Sequence, residues 1–238
     1  MRRLAACFLF QIACVFSIAT NAESDTKIFT TILKINVDDA KLAYLGHQSR
    51  ELISMIKNKK FVEAEKSAAD LRNTYEAAFD SSLQQYTFQS KADFDEFSQS
   101  SSSKFEWIDW GYKECLQAQA FIAAEKKDFS KSLDILKKIE SVAPISAGTA
   151  GERGYILNQV GRPDEALSSY QKAYDLSINY SSQTPFRAMA LRGIGYALID
   201  LHRLDEAEKA FIASLEIEPT SNIAKSELSY IQGLRKSK

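Results

Sequence analysis

The chain has 238 residues, with 30 Lys and Arg against 31 Asp and Glu and a formal net charge of −1. Charges of both signs are interspersed with no long block of either, which argues against nucleic acid as a partner because phosphate binding needs a concentrated basic face. Two His and three Cys give little material for a metal centre or a disulfide framework.

The N-terminus reads as an export signal. Met1, Arg2 and Arg3 form a basic head, Leu4 to Ile18 is an apolar run broken only by Gln11 and Ser17, and Thr20-Asn21-Ala22 offers small residues for cleavage after Ala22. The run is short for a membrane span, so the expectation is a protein of the periplasm or the extracellular space with no span after signal removal. Neither Cys7 nor Cys14 sits in a good lipoprotein context. Both leave with the signal, so Cys115 alone remains and no internal disulfide is expected. Loss of Arg2 and Arg3 takes the formal charge from −1 to −3.

Residues 23–103 read as an N-terminal helical region. Ile28, Ile32 and Ile35 suggest a first helix. Leu42, Leu45, Leu52, Met55 and Ile56, then Phe61, Ala64, Ala68 and Leu71, recur at helical spacing on either side of Asn58-Lys59-Lys60. This predicts a helical hairpin over about 40–79, with Lys57 to Lys60 as a solvated helix end. Residues 80–103 are expected to be mostly loop. Within them Tyr86-Thr87-Phe88 has extended character, Ser90 can cap a short helix over Asp93 to Phe97, and Ser98 to Ser103 reads as polar loop. Phe105, Trp107, Ile108, Trp110 and Tyr112 follow. They either seal the N-terminal region against what comes next or offer a stacking platform for a sugar or peptide.

From Tyr112 to Pro219 the sequence repeats. Lys127 to Ser132, Gly161 to Ala166 and His202 to Ala207 are three versions of one turn and helix start. Aligned on Ser132, Ala166 and Ala207, they lie 34 and 41 residues apart. The extra seven residues are about two helical turns, so they can lengthen a helix pair without rotating its apolar face much. Each unit has a small residue in its first helix (Ala120, Gly154, Gly195), a small residue facing it in the second (Ser132, Ala166, Ala207), and a large residue four positions on (Leu136, Tyr170, Phe211). Pro144 and Pro219 close the first and third units, and Ile178 stands at that place in the second. This pattern resembles the tetratricopeptide repeat (TPR) family. Arg153 at a usual Leu position, Gln119 at a usual apolar one and the absence of the family's Trp are departures.

The resemblance implies an all-α fold, a right-handed α-α superhelix of TPR-like helical hairpins, with an N-terminal helical extension and a C-terminal capping helix. The repeats would span about 113–146, 147–180 and 188–221 within a 104–238 array, and Ser221 would cap a last helix over 221–235. It also implies an inner surface lined by the first helix of each unit. On this sequence the rows are Phe121, Tyr155 and Tyr196, then Glu125, Gln159 and Asp200, then Gln117, Gly151 and Arg192 with Glu152 beside them. A groove with such aromatics suits another protein or a peptide as partner. The Lys and Asn of the family's carboxylate clamp are absent from these rows.

No catalytic, cofactor-binding or metal set emerges. His202 lies in a turn, and His47 with Glu51 is too small a group for a metal site. Gly148 to Gly154 has no strand before it and falls in a helical register. Cys115 reads as a small buried residue. The function expected is a non-catalytic, exported scaffold or adaptor. The alternative is an envelope glycan or small-ligand binder using the aromatic segment 84–112. The sequence leaves the oligomeric state open.

Overall fold

The computed structural model describes residue 48, residues 51–101 and residues 105–236. The leader, the helix expected near Ile28 to Ile35, and His47 lie outside the described residues. The chain divides into two compact units, Met1–Pro144 and Ile145–Lys238.

In the N-terminal unit, α1 (51–57) and α2 (Phe61–Glu76) form a helical hairpin, and the start of the hairpin expected over about 40–79, with Leu42 and Leu45, lies outside the described residues. Leu52, Ile56, Ala64, Ala68 and Leu71 are buried in it. Next comes β1 (Gln84–Thr87), α3 (Lys91–Ser100) and β2 (Phe105–Ile108). The two strands pair in parallel with Tyr86 opposite Trp107, so this helical protein also carries a small β-α-β unit. A parallel pair needs a crossover of a dozen or more residues, and α3 supplies it. Ser90 caps α3 as expected, accepting from the Asp93 amide at 3.2 Å. The helix then runs through Ser98 and Ser100, where a loop was expected. Ser98 returns its hydroxyl to the Phe94 carbonyl at 2.6 Å and so remains compatible with the helix.

The unit closes with α4 (Trp110–Glu125) and α5 (Phe129–Val142). Ser132, Ile135, Leu136, Ile139 and Val142 form the buried stripe of α5, at the spacing of one helix face. Two polar ties bind α4 to α2. Tyr75 donates to Asp109 Oδ1 at 2.5 Å, and Tyr112 donates to Glu76 Oε1 at 2.7 Å. Asp109 also caps α4 through the Gly111 amide at 2.9 Å. Burial lifts its carboxyl above the usual range, against the opposing pull of those hydrogen bonds. These ties and a contact from Gln84 Nε2 to the Ser141 carbonyl at 3.5 Å attach 105–144 to the N-terminal elements. The division of the chain therefore falls at Pro144, not at the serine run near 103.

The C-terminal unit contains α6 (Ala147–Gln159), α7 (Pro163–Asn179), a 3-10 turn (Ser181–Phe186), α8 (Arg187–Asp200), α9 (Leu204–Ile217) and α10 (Asn222–Lys236). The seven extra residues do not all extend a helix. α7 has 17 residues against 14 in α5 and α9, and the 3-10 turn holds most of the remainder. That turn is anchored, because Gln183 Oε1 accepts from the Ala147 amide at 3.0 Å. Gly148 to Gly154 lies within α6. Arg153, at the usual Leu position, donates to Ser169 Oγ at 2.9 Å. Ser221 accepts from the Ala224 amide at 3.4 Å at the start of α10, and Arg235 near its end pairs with Asp205 and Glu208 of α9.

Small residues set the helix spacing. A Cβ on Gly154 would stand 3.0 Å from the Tyr170 ring, and one on Gly195 2.6 Å from the Phe211 ring, as the repeat pattern predicts. Gly193 is a third such site, which the repeat alignment does not mark. Its Cβ would fall 2.2 Å from Tyr170, so this one ring meets a glycine on α6 and another on α8.

The four helical hairpins among the described residues turn in the same way. Lys59, Lys127, Gly161 and His202 have φ of 57°, 62°, 73° and 60°. Each lies two residues before the second helix of its pair. The residue after it closes a long backbone bond at 2.9 Å in every case, namely Lys60 to Met55, Asp128 to Ala123, Arg162 to Leu157 and Arg203 to Leu198. The left-handed residue itself bonds one carbonyl nearer, as in a Schellman motif.

Two predictions follow from this packing. A side chain in the left-handed region costs about 1–2 kcal/mol, so Lys127→Gly and His202→Gly are each expected to raise the melting temperature, by about 2–4 °C per kcal/mol recovered. Gly161→Ala is expected to lower it, and thermal melts by circular dichroism check both signs. Gly193→Ala is expected to cost about 1–3 kcal/mol through overpacking, read by urea denaturation, with Tyr170→Leu in the same chain relieving part of the loss.

Candidate functional site

The expected inner-face residues divide between the units. In the N-terminal unit, Phe121 is buried, with its ring edge-on to Phe61 at 6.1 Å. Gln117 is buried as well, and Glu125 is exposed at the end of α4. Packing between helices therefore claims most of Phe121 and Gln117, and Glu125 is what this helix offers to solvent.

In the C-terminal unit the first helices, α6 and α8, lie side by side. The contact is close, since a Cβ on Gly151 would meet Met189 Cε at 2.6 Å. Tyr155 and Glu152 on α6 are 9% and 8% exposed, so they stand behind the surface. Tyr196 on α8 is half-buried and sets its ring edge-on to Phe211 at 5.4 Å. That contact fixes the ring and leaves part of it to solvent. The Arg192 side chain is 12% exposed and is held by Glu218 at 2.6 Å. Gln159 is half-buried and Asp200 exposed. Partial desolvation raises the Asp200 carboxyl above its ordinary value. Tyr196 presents a fixed aromatic edge with the Arg192 guanidinium and the Asp200 carboxylate one helical turn to either side. Together they can form hydrogen bonds and ion pairs with a polypeptide, and they hold no nucleophile with an adjacent base.

The aromatic segment 84–112 is turned largely on itself. Phe94 stacks on Trp107 at 4.6 Å and 13°. Phe88 is fully buried and lies 5.3 Å from Phe97 and 5.9 Å from Trp107. Tyr86 and Phe105 meet at 5.1 Å. These rings form the core of the β-α-β unit, where the sequence led one to expect a seal against the first repeat. Trp110 is half-buried beneath the Lys113 ammonium, 5.2 Å from its centroid.

Other candidates fall in ordinary places. Cys115 is buried, with Sγ 3.0 Å from the Tyr112 carbonyl, and burial pushes its thiol well above the usual range. His202 is the exposed left-handed residue of its turn. Among the described residues no group of three His, Cys, Asp or Glu could hold a metal. No described helix is long and apolar enough to cross a membrane. Sequence reasoning passed over Met189 because no repeat position marks it. Its signal was the uninterrupted small-residue run of α6 that it faces.

Comparison with known proteins bears on this fold. The family model for the tetratricopeptide repeat matches residues 146–218. The chain is 34% identical over 76 residues to a probable assembly chaperone of rpl4 from Emericella nidulans. The match covers 32% of this chain and 19% of that protein, so the chain spans under a fifth of its relative. The solved structure of the MamA RS-1 ArsTM double mutant superposes with a TM-score of 0.55 at 15% identity, over 84% of this chain and 86% of that one. The first TPR of Spaghetti (RPAP3), bound to the HSP90 peptide SRMEEVD, gives a TM-score of 0.47 at 21% identity, over 52% and 93%. The glycine-and-ring packing, the repeated turns and the family match lead to one conclusion, that residues 146–218 of this chain are built of tetratricopeptide repeats.

Proposed function

We propose that the protein is a non-catalytic scaffold that binds another protein through the face shared by α6 and α8. The observation that carries this reading is the Tyr196 ring. It is braced by Phe211, partly open to solvent and flanked in the same helix by Arg192 and Asp200. A rigid aromatic with a guanidinium nearby is the composition of a binding hot spot. Gln159 extends the face on α6, with Tyr155 and Glu152 supporting it from behind. The relative of 34% identity, a probable assembly chaperone, also supports a protein partner. The basic head, apolar run and small residues before Glu23 support export to the periplasm or beyond.

The binding face is tested by affinity capture from the envelope fraction, with partners quantified by mass spectrometry. Tyr196→Ala combined with Arg192→Ala is expected to reduce specific partner recovery about tenfold or more, the equivalent of at least 1.4 kcal/mol, with the helical circular dichroism retained. Equal recovery by a folded double variant would remove the face from consideration. Export is tested by the intact mass of the protein recovered from cells. The expected chain begins at Glu23, and an unprocessed chain confined to the cytoplasm would overturn that part of the reading.

A further inference from the structure

The repeat register does not stop at the third hairpin. A shift of 34 residues, the period between the first two units, carries α8 onto α10. It takes Ala190 to Ala224 and Ala197 to Ile231, and all four are fully buried. It takes Gly195, which meets the Phe211 ring, to Ser229. Ser229 is exposed, because among the described residues no second helix follows to cover it. α10 thus buries the same face as α8 and stands in the array as the first helix of a fourth unit.

The same shift takes Tyr196 to Tyr230. The inner aromatic row therefore has a further member on α10, which the sequence reading of that helix as a cap passes over. Exposure climbs along the row within the C-terminal unit. Tyr155 is 9% exposed, Tyr196 is half-buried and Tyr230 is 38% exposed. The two more exposed rings share a second feature. Asp200 lies four residues after Tyr196, and Glu227 lies three residues before Tyr230. Each ring so has a carboxylate one turn away on its own helix face. Arg192, the one cation at the inner register positions of α8 and α10, is already held by Glu218 at 2.6 Å. The face therefore sets acid beside open rings, with its own cation compensated. A Lys or Arg side chain is attracted to the face of an aromatic ring, and a neighbouring carboxylate adds a charge-assisted hydrogen bond. An acidic segment or a phosphate would meet repulsion at the same place.

We propose that α10 is part of the binding face and that the partner segment seated there is a basic peptide, with Lys or Arg side chains over Tyr230 and Tyr196 and against Glu227 and Asp200. This rests on the reading of the α6–α8 face as the binding surface, extends that surface by one helix and gives its partner a charge. Tyr230, the most exposed ring of the row, is the contact that selects for it.

The test is a peptide array probed with the full chain, carrying peptides of about twelve residues in basic, neutral and acidic sets of matched apolar content. The strongest binder is then titrated by fluorescence anisotropy. Retention by the basic set is expected, with an affinity that falls as salt is added. Tyr230→Ala is expected to weaken binding about fivefold or more, and Tyr230→Phe, which keeps the ring, to stay within about twofold. Asp200→Asn with Glu227→Gln is expected to weaken it about tenfold and to flatten the salt dependence. Helical circular dichroism checks that each variant is folded. Three results would overturn the proposal: strongest binding by the neutral or acidic set, no binding by any set, or an affinity for the basic peptide that a folded Tyr230→Ala chain retains. Loss on Tyr196→Ala with none on Tyr230→Ala would leave the α6–α8 face standing and remove α10 from it. Retention by both variants would remove the whole inner face.

Discussion

The backbone bond that closes each hairpin is the constraint on which the rest depends. Four times the chain ends a helix, places one residue in the left-handed region and returns an amide to the carbonyl five positions earlier. This satisfies carbonyls that a helix end otherwise leaves open and fixes where the second helix begins. Glycine is the residue suited to that conformation, yet it occurs at Gly161 alone, and two lysines and a histidine fill the other three turns. The fold tolerates their strain because each turn is held at both ends by packed helices. With the turns fixed, side-chain spacing decides which faces meet.

Within the C-terminal unit those faces meet through rings set on glycines. Tyr170 touches the backbone surface at Gly154 in its own hairpin and at Gly193 in the next, and Phe211 does the same at Gly195. An aromatic ring against a bare backbone buries much area at little rotamer cost. Phe211 in turn braces Tyr196, so a core contact orients the ring proposed to bind. The order of dependence runs from the turn, through helix spacing, to the presentation of a surface aromatic.

Much of this was legible in the sequence. The period of 34, the small and large residues at matching offsets, and the capping serines at Ser90 and Ser221 each have a local physical cause and appear where expected. What was not legible depended on distant partners. Phe105 to Ile108 reads as an aromatic seal, and its strand character comes from pairing with Gln84 to Thr87, some twenty residues away. The serine run reads as loop, yet α3 continues through Ser100. Gly193 was hidden because the alignment awarded the small position to Gly195. Among the inner-row residues, the repeat register identified the helices correctly. It could not foresee that Phe61 would cover Phe121, since that neighbour lies outside the recognised repeats.

The joint between the second and third repeats carries a consequence for how this protein can vary in length. Seven residues beyond the usual period look like a dispensable insertion, the kind that drifts freely between related chains. Gln183, inside that stretch, completes the first turn of a helix that begins 36 positions earlier, and Arg187, immediately after it, fastens to the Ser177 carbonyl at 2.7 Å. Trimming the joint back to the common period would therefore uncap the preceding repeat as well as shorten the spacer. A segment that breaks the periodicity has become a component of the unit it separates.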